Sequence, residues 1–486
     1  MLNFSTGTPE STGISASHIS NFVKRLQNKG VAMHSFLLLH KDTLIAEGYY
    51  KPYDADTLHR MFSISKSFTA IAIGLLMDEG KLSLDDTIID YFPDKLPKDV
   101  HPWIANMTIR DMLMMRTCHA ATTYKVNMKE DWVESFFTVA PTHPSGKLFH
   151  YDTSSAHVLC ALAERLSGMP MLDYIKSKLS VLGISEKSYM LTDPFGVSMG
   201  GSGLVATPKD ILKFGYFLLK EGNINGEVLL SSSYIKDATS HLTDTCLTGP
   251  VPSECQGYGY QIWRNERGGY VCYGMGGQLV IVLPQYDLIC VTTADTQGLG
   301  GGNQLIYDAF YDEILDKIAP APLLEDPVAC TKLAELFESL ELPMLDDCSK
   351  NKDFLDFVRD IQDSHWKFED NPQGFTDLSI CFSPEKDGAV LGGILTLTLQ
   401  EKEIRLPFGI GTLITDTFPG YDMKYAANAT LLADHTLYIK FHIIDAFVGS
   451  VHLQLSFAED EVTVFMRKQE ESLFWEYNGH LFGLRV

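Results

Sequence analysis

The chain has 486 residues, enough for two or three domains with a core each. Apolar residues make up 45% and charged residues 21%, ordinary globular values that argue against disorder. A net charge of −23, from 39 Lys plus Arg against 62 Asp plus Glu, repels phosphate backbones and anionic membranes, and there is no basic run with interleaved aromatics. Nucleic-acid and membrane partners are therefore not expected. Nine cysteines form no C-x-x-C pair and are odd in number, which reads as reduced thiols and a cytoplasmic protein. The first residues, Met1 to Gly7, have no basic region, apolar core or cleavage site, and no run reaches the roughly 18 apolar residues of a membrane span.

The first elements are a hairpin, His34 to Leu39 and Leu44 to Tyr50 around a Lys41-Asp42 turn. Next comes an apolar helix over 63–79 (Phe68, Ile71, Ile73, Leu75, Leu76), stopped by Gly80. At its head stand Ser63-Ile64-Ser65-Lys66. Residues three apart share a helix face, so Lys66 lies beside the Ser63 hydroxyl. A serine needs a nearby base to become a nucleophile. An S-x-x-K tetrapeptide is weak by itself, since a capping Ser with a solvated Lys has the same spelling.

The partners follow in order. Phe149-His150-Tyr151-Asp152-Thr153 opens a second apolar helix (Val158, Leu159, Ala161, Leu162), and Tyr273-Gly274-Met275-Gly276-Gly277-Gln278 precedes strands Leu279 to Leu283 and Leu288 to Thr293. With Ser63/Lys66 as S-x-x-K, Tyr151-Asp152-Thr153 as the Y-x-N element and Gly274 to Gly277 as the K-T-G or H-x-G strand, residues 1 to 318 resemble the serine β-lactamase and penicillin-binding superfamily. The resemblance is to its class C-like branch of esterases, D-amino-acid peptidases and 6-aminohexanoate-dimer hydrolases. The segments Thr192 to Gly196, Gly200-Gly201-Ser202-Gly203-Leu204 and Thr207-Pro208-Lys209-Asp210 resemble the same branch.

The resemblance implies a serine hydrolase acting on small esters or amides through an acyl-enzyme, without a cofactor or metal. Ser63 would attack while Lys66 and Tyr151 manage the proton as general base and acid. The oxyanion and substrate would meet Thr153, Gly276, Gly277 and Gln278, with a glycine N–H and that of Ser63 forming the oxyanion hole. Two positions depart from the family. Thr153 replaces Asn, keeping an acceptor for Lys66 but losing an amide NH₂. Met275 stands where Lys or His would face a carboxylate. Both departures disfavour a β-lactamase or D-Ala-D-Ala peptidase. A decayed hydrolase serving as a binding or regulatory protein is the third reading.

Gly196-Val197-Ser198-Met199-Gly200 spells the nucleophile elbow G-x-S-x-G, but its neighbours read as loop rather than strand and helix. Fifteen histidines show no H-x-H or H-E-x-x-H spacing, and Gly298 to Gly302 lacks the Gly-Lys-Ser/Thr ending of a phosphate loop. Strands at both ends with helices between predict an α+β domain over 1–318: an antiparallel sheet flanked by helices, with a mostly helical insertion and a closing helix at 303–318. A Pro-rich linker follows at 319–327, then an accessory domain over 328–486. After a short helix near 329–340, apolar and polar residues alternate from about Trp366, the period-two signature of a small antiparallel barrel or curled sheet. Trp366, Phe375 and Trp475 are candidates to line a ligand site there, with core packing as the plainer expectation.

Overall fold

The computed structural model describes residues 1–433 and 435–486. It divides into two compact units, Met1–Leu340 and Glu341–Val486.

Apart from a short hairpin of Asn223–Ile224 with Glu227–Val228, the strands of the first unit, in chain order, are β1 (Ser5–Thr6), β2 (Ala32–His40), β3 (Thr43–Tyr49), β4 (His59–Arg60), β5 (Tyr189–Met190), β6 (Leu204–Ala206), β7 (Trp263–Arg264), β8 (Tyr270–Gly274), β9 (Gln278–Leu283) and β10 (Leu288–Asp295). Seven of them form one sheet in the order β1-β3-β2-β10-β9-β8-β7, antiparallel except at the β1–β3 edge. The N-terminal hairpin thus pairs with strands from 250 residues later, as β2 lies against β10 with Leu37 opposite Val291. Every residue of β2, β9 and β10 is buried. That is the consequence of an uninterrupted apolar strand covered on both faces.

The covering helices are α1 (Ala16–Asn28), α2 (Ile64–Asp78), α3 (Thr153–Ser167), α4 (Pro208–Leu219), α5 (Gln304–Glu313) and α6 (Pro327–Glu338). One core holds α2, α3 and α4, with Phe68 stacked on Phe214 at 3.8 Å. The other holds α1, α5 and α6. The closing helix ends at Glu313 and is followed by one 3₁₀ turn, Leu315–Lys317. Helix α6 belongs to the first unit: Ala329 and Leu333 are in its core, and Phe337 meets Phe36 at 5.7 Å. The division between units therefore falls at 340/341, beyond the Pro-rich stretch, because an apolar helix face is buried before the chain leaves.

The second unit is a barrel. Nine strands form a ring, closed where Lys402–Ile410 pairs in parallel with Met423–Leu432 through Gly409–Asn428 and Ile410–Ala429; Ile414–Phe418 pairs beside the ring. Closure removes free sheet edges. Trp366 and Phe375 are core residues, 1% and 2% exposed. Trp475 is on the surface, with the Lys468 ammonium 3.4 Å from its ring centroid.

Candidate active site

Ser63 occupies the residue before the first turn of α2, and its side chain makes no capping bond. The capping-like work falls to Ser65, whose Oγ donates to the Phe62 carbonyl at 2.6 Å and accepts the Leu204 N–H at 2.9 Å. Phe62 itself has φ +44°, a left-handed conformation that costs a bulky residue on the order of 1–3 kcal/mol. This strained entry presents Ser63 at the surface of the site while Phe62 stays buried.

Lys66 is 1% exposed, and its Nζ donates to Ser63 Oγ at 2.9 Å and to the Gly201 carbonyl at 2.6 Å. The predicted (i, i+3) pair is therefore formed in a buried setting. Tyr151 lies over the same ammonium, with Nζ 4.8 Å from its ring centroid. Burial pushes the Tyr151 phenol above its ordinary range, opposed by its interaction with Ser63, so it is a neutral phenol near pH 7. Its hydroxyl is buried and has no well-aligned hydrogen bond among the described residues. Behind Tyr151, Trp263 packs at 5.4 Å and Tyr258 at 6.5 Å, fixing the ring.

Asp152 caps α3 through the Ser154 N–H at 2.9 Å and takes the Ser154 hydroxyl at 2.5 Å. Burial raises its carboxyl to about 6, against the lowering effect of those donors and of Lys66. Thr153 is the first residue of α3. Its methyl is so close to Gly201 that a Cβ there would lie 2.4 Å away, and the acceptor placed on Lys66 opposite Ser63 is the Gly201 carbonyl.

The β8–β9 turn forms the remaining wall. Gly274 leaves room for the Met61 carbonyl, which a Cβ would approach to 2.3 Å, so β8 can run directly beside the strand leading to Ser63. Gly276 and Gly277 have φ of +82° and +98°, which the turn requires. Met275 is half-buried. Gln278 departs from the expectation of substrate contact. It is 0% exposed, its Nε2 donates to the Met275 and Ala294 carbonyls at 2.8 Å each, and its Oε1 accepts the Ala294 N–H. With both ends of its amide engaged, Gln278 braces the turn from inside.

Ser198 is elsewhere. It is 4% exposed, sits in a bridge with Thr192 rather than between a strand and a helix, and borders a polar cavity of about 760 Å³ that Ser63 does not line. Among the described residues one trio, Glu10, Glu325 and Cys330, has metal-ligand atoms within 4.8 Å of one another; Glu10 already accepts from Ala16 N–H and the Cys330 thiol. All nine cysteines are free thiols, and no helix among the described residues is long and apolar enough to cross a membrane.

Two contributors had no assignment in the sequence. Gly201 was visible only as part of a glycine-rich run; its backbone carbonyl, the group that matters, carries no residue signal. Glu254 is 0% exposed, accepts the Tyr307 hydroxyl at 2.7 Å, and is raised by burial to about 8, with Tyr307 and Asn303 opposing.

A Beta-lactamase family model matches residues 16–309, and the chain belongs to that family. It is 22% identical over 300 residues to a 6-aminohexanoate-dimer hydrolase of Paenarthrobacter ureafaciens, covering 57% of this chain and 75% of that protein. A solved Bacillus anthracis structure, provisionally assigned as a 6-aminohexanoate-dimer hydrolase, superposes with TM-score 0.51 at 20% identity, over 64% of this chain and 86% of that one. A Bacteroides dorei DSM 17855 structure, provisionally assigned as a β-lactamase, gives TM-score 0.50 at 16% identity, over 62% and 98%. The chain is thus a hydrolase-type member of the β-lactamase-like superfamily, with an antiparallel-sheet α+β domain followed by a β barrel.

Proposed function

We propose that the protein is a serine hydrolase that cleaves small esters or neutral amides through an acyl-enzyme on Ser63. The observation carrying this reading is the buried Lys66 Nζ held 2.9 Å from a Ser63 hydroxyl that makes no capping bond. With Lys66 as the free amine, Ser63 Oγ attacks the substrate carbonyl and the Ser63 proton passes to Lys66 Nζ, which becomes the ammonium. Tyr151, a phenol rather than a standing phenolate, relays the proton to the leaving group. The N–H of Ser63 and one in the Met275–Gln278 turn hold the oxyanion, and losing such a donor costs roughly 3 kcal/mol of barrier. Water then repeats the sequence on the acyl group.

Met275 disfavours carboxylate-gripping β-lactam or D-Ala-D-Ala substrates, because a thioether offers neither charge nor a strong donor. The relative named a 6-aminohexanoate-dimer hydrolase supports hydrolysis of a small substrate. Nine unpaired thiols favour a reducing, cytoplasmic setting. The barrel, with Trp366 and Phe375 committed to its core, is read as an accessory domain without chemistry of its own.

Mass spectrometry after fluorophosphonate treatment tests the assignment. A covalent adduct on Ser63, lost in Ser63→Ala together with p-nitrophenyl butyrate turnover and kept in Ser198→Ala, is the expected result. Wild-type turnover in Ser63→Ala refutes it.

A further inference from the structure

A buried histidine–carboxylate hydrogen bond lies outside the groups used above. His157, one turn into α3 from Thr153, donates through Nε2 to Asp193 Oδ2 at 3.0 Å, with both side chains no more than 1% exposed. The other Asp193 oxygen accepts the N–H groups of Phe195 at 2.8 Å and Val197 at 2.9 Å. Burial raises the Asp193 carboxyl, yet the bonds from His157 and from these amides bring it below its ordinary value. A buried carboxylate so fully satisfied is a rigid anchor.

The anchored segment is the strap that reaches the candidate active site. From Asp193 the backbone closes on itself through Asp193 N–H to Val197 carbonyl and Met199 N–H to Leu191 carbonyl, both 2.8 Å, and Gly203 N–H to Met199 carbonyl at 2.7 Å. Its far end is stitched to α2 and β4. Thr69 donates to the Gly200 carbonyl at 2.9 Å, Lys66 to that of Gly201 at 2.6 Å, and Arg60 Nε to that of Ser202 at 3.1 Å. A Cβ on Gly200 would come within 2.2 Å of Cys160 Cβ, so the strap lies directly on α3. His157 and Cys160 are on one face of that helix, and Tyr151 to Thr153 lead into it.

We infer that His157 and Asp193 are positioning residues for the Ser63 site, fixing the strap so that the Gly201 carbonyl holds the Lys66 ammonium beside Ser63. This rests on the reading of Ser63 as nucleophile. Tyr151 and Asp152 are titratable groups that also face Lys66, both at the start of α3 and not altered by substitution at 157 or 193. A shift in the titration of the site would therefore report the carbonyl.

The test uses the full chain. In His157→Ala, amide hydrogen exchange in peptides spanning 191–204 is expected to rise at least tenfold while α2 keeps its protection. The acid limb of the pH profile for fluorophosphonate labelling of Ser63 is expected to move down by about one pH unit, since a cation that loses one acceptor gives up its proton more readily. His157→Gln, which keeps a donor, should recover much of both. Asp193→Asn keeps an acceptor for Phe195 and Val197, and serves if the alanine variant does not fold; it should show the same changes in reduced size.

His40→Ala is the control. It removes a histidine equally buried, 1% exposed and bonded to Thr12 Oγ1 at 2.9 Å, and should leave strap exchange and the acid limb at wild-type values. A folded variant at 157 or 193 with wild-type exchange and pH profile overturns the inference, as does an equal shift in His40→Ala. If wild-type Ser63 is not labelled at all, the hydrolase reading falls, and the exchange measurement by itself decides the latch.

Discussion

Glu254→Gln isolates the energetic cost of a buried carboxyl group. Glu254 is 0% exposed, with Oε1 on the Tyr307 hydroxyl at 2.7 Å and Oε2 without a partner among the described residues. Burial lifts its carboxyl from 4.5 to about 8, so the folded state keeps a proton that the unfolded chain releases above pH 4.5. Because the folded state binds more protons across that window, stability must fall as pH rises from about 4.5 to about 8. At 1.36 kcal/mol per unit, the ionisable group forfeits about 1 kcal/mol at pH 5, about 3 at pH 7 and about 4 at pH 8. Glutamine has nearly the same shape and no proton to lose, so the difference between variant and wild type should follow that curve, with the variant the more stable. Urea denaturation of both proteins at pH 5, 6, 7 and 8, followed by hydrogen exchange of α5 peptides to report the first unit alone, measures it. A difference that does not vary with pH, or a glutamine variant weaker at pH 7, refutes the premise that Glu254 is buried as the neutral acid.

Tyr151→Phe should lower the acylation rate by a factor of roughly 10²–10⁴, the usual span for a general acid–base group, with folding unchanged because the ring contacts to Trp263 and Tyr258 remain. Stopped-flow measurement of p-nitrophenyl release checks this, and a loss below about threefold would demote the hydroxyl to packing. Nitrocefin should be a far poorer substrate than simple esters because Met275 cannot hold its carboxylate; comparable rates would require another residue to do so. A chain ended after Leu340 should remain soluble and keep Ser63 labelling, whereas one ended after Pro322 should aggregate. The shorter chain strips Ala329, Leu333 and Phe337 from the core against α1 and Phe36. Equal solubility of the two by size-exclusion chromatography would show that α6 is dispensable.

The sequence by itself determined the parts of this protein that depend on local spacing. Helical periodicity placed Lys66 one turn from Ser63. The apolar strands 34–39 and 288–293 declared antiparallel pairs, and period-two alternation after Trp366 announced half-buried strands. Glycines 276 and 277 marked a place where backbone could come close to substrate. What depends on distant contacts was decided by the tertiary structure. Gly201 matters through a backbone carbonyl that any residue carries, and it reaches Lys66 only because the strap folds back across 135 positions of sequence. Gln278 looked like a substrate contact in the motif, but the pleat turns its amide inward to Ala294 on the neighbouring strand. Thr153 kept a hydroxyl where the family has an amide, yet packing set its methyl against a glycine. Helix α6 lay beyond a stretch of prolines that reads as a boundary, and it joined the first unit because its apolar face finds α1 and Phe36, more than 280 residues earlier. Spacing along a chain fixes which side chains can share a face, whereas burial and backbone hydrogen bonding between remote segments fix what those side chains finally touch.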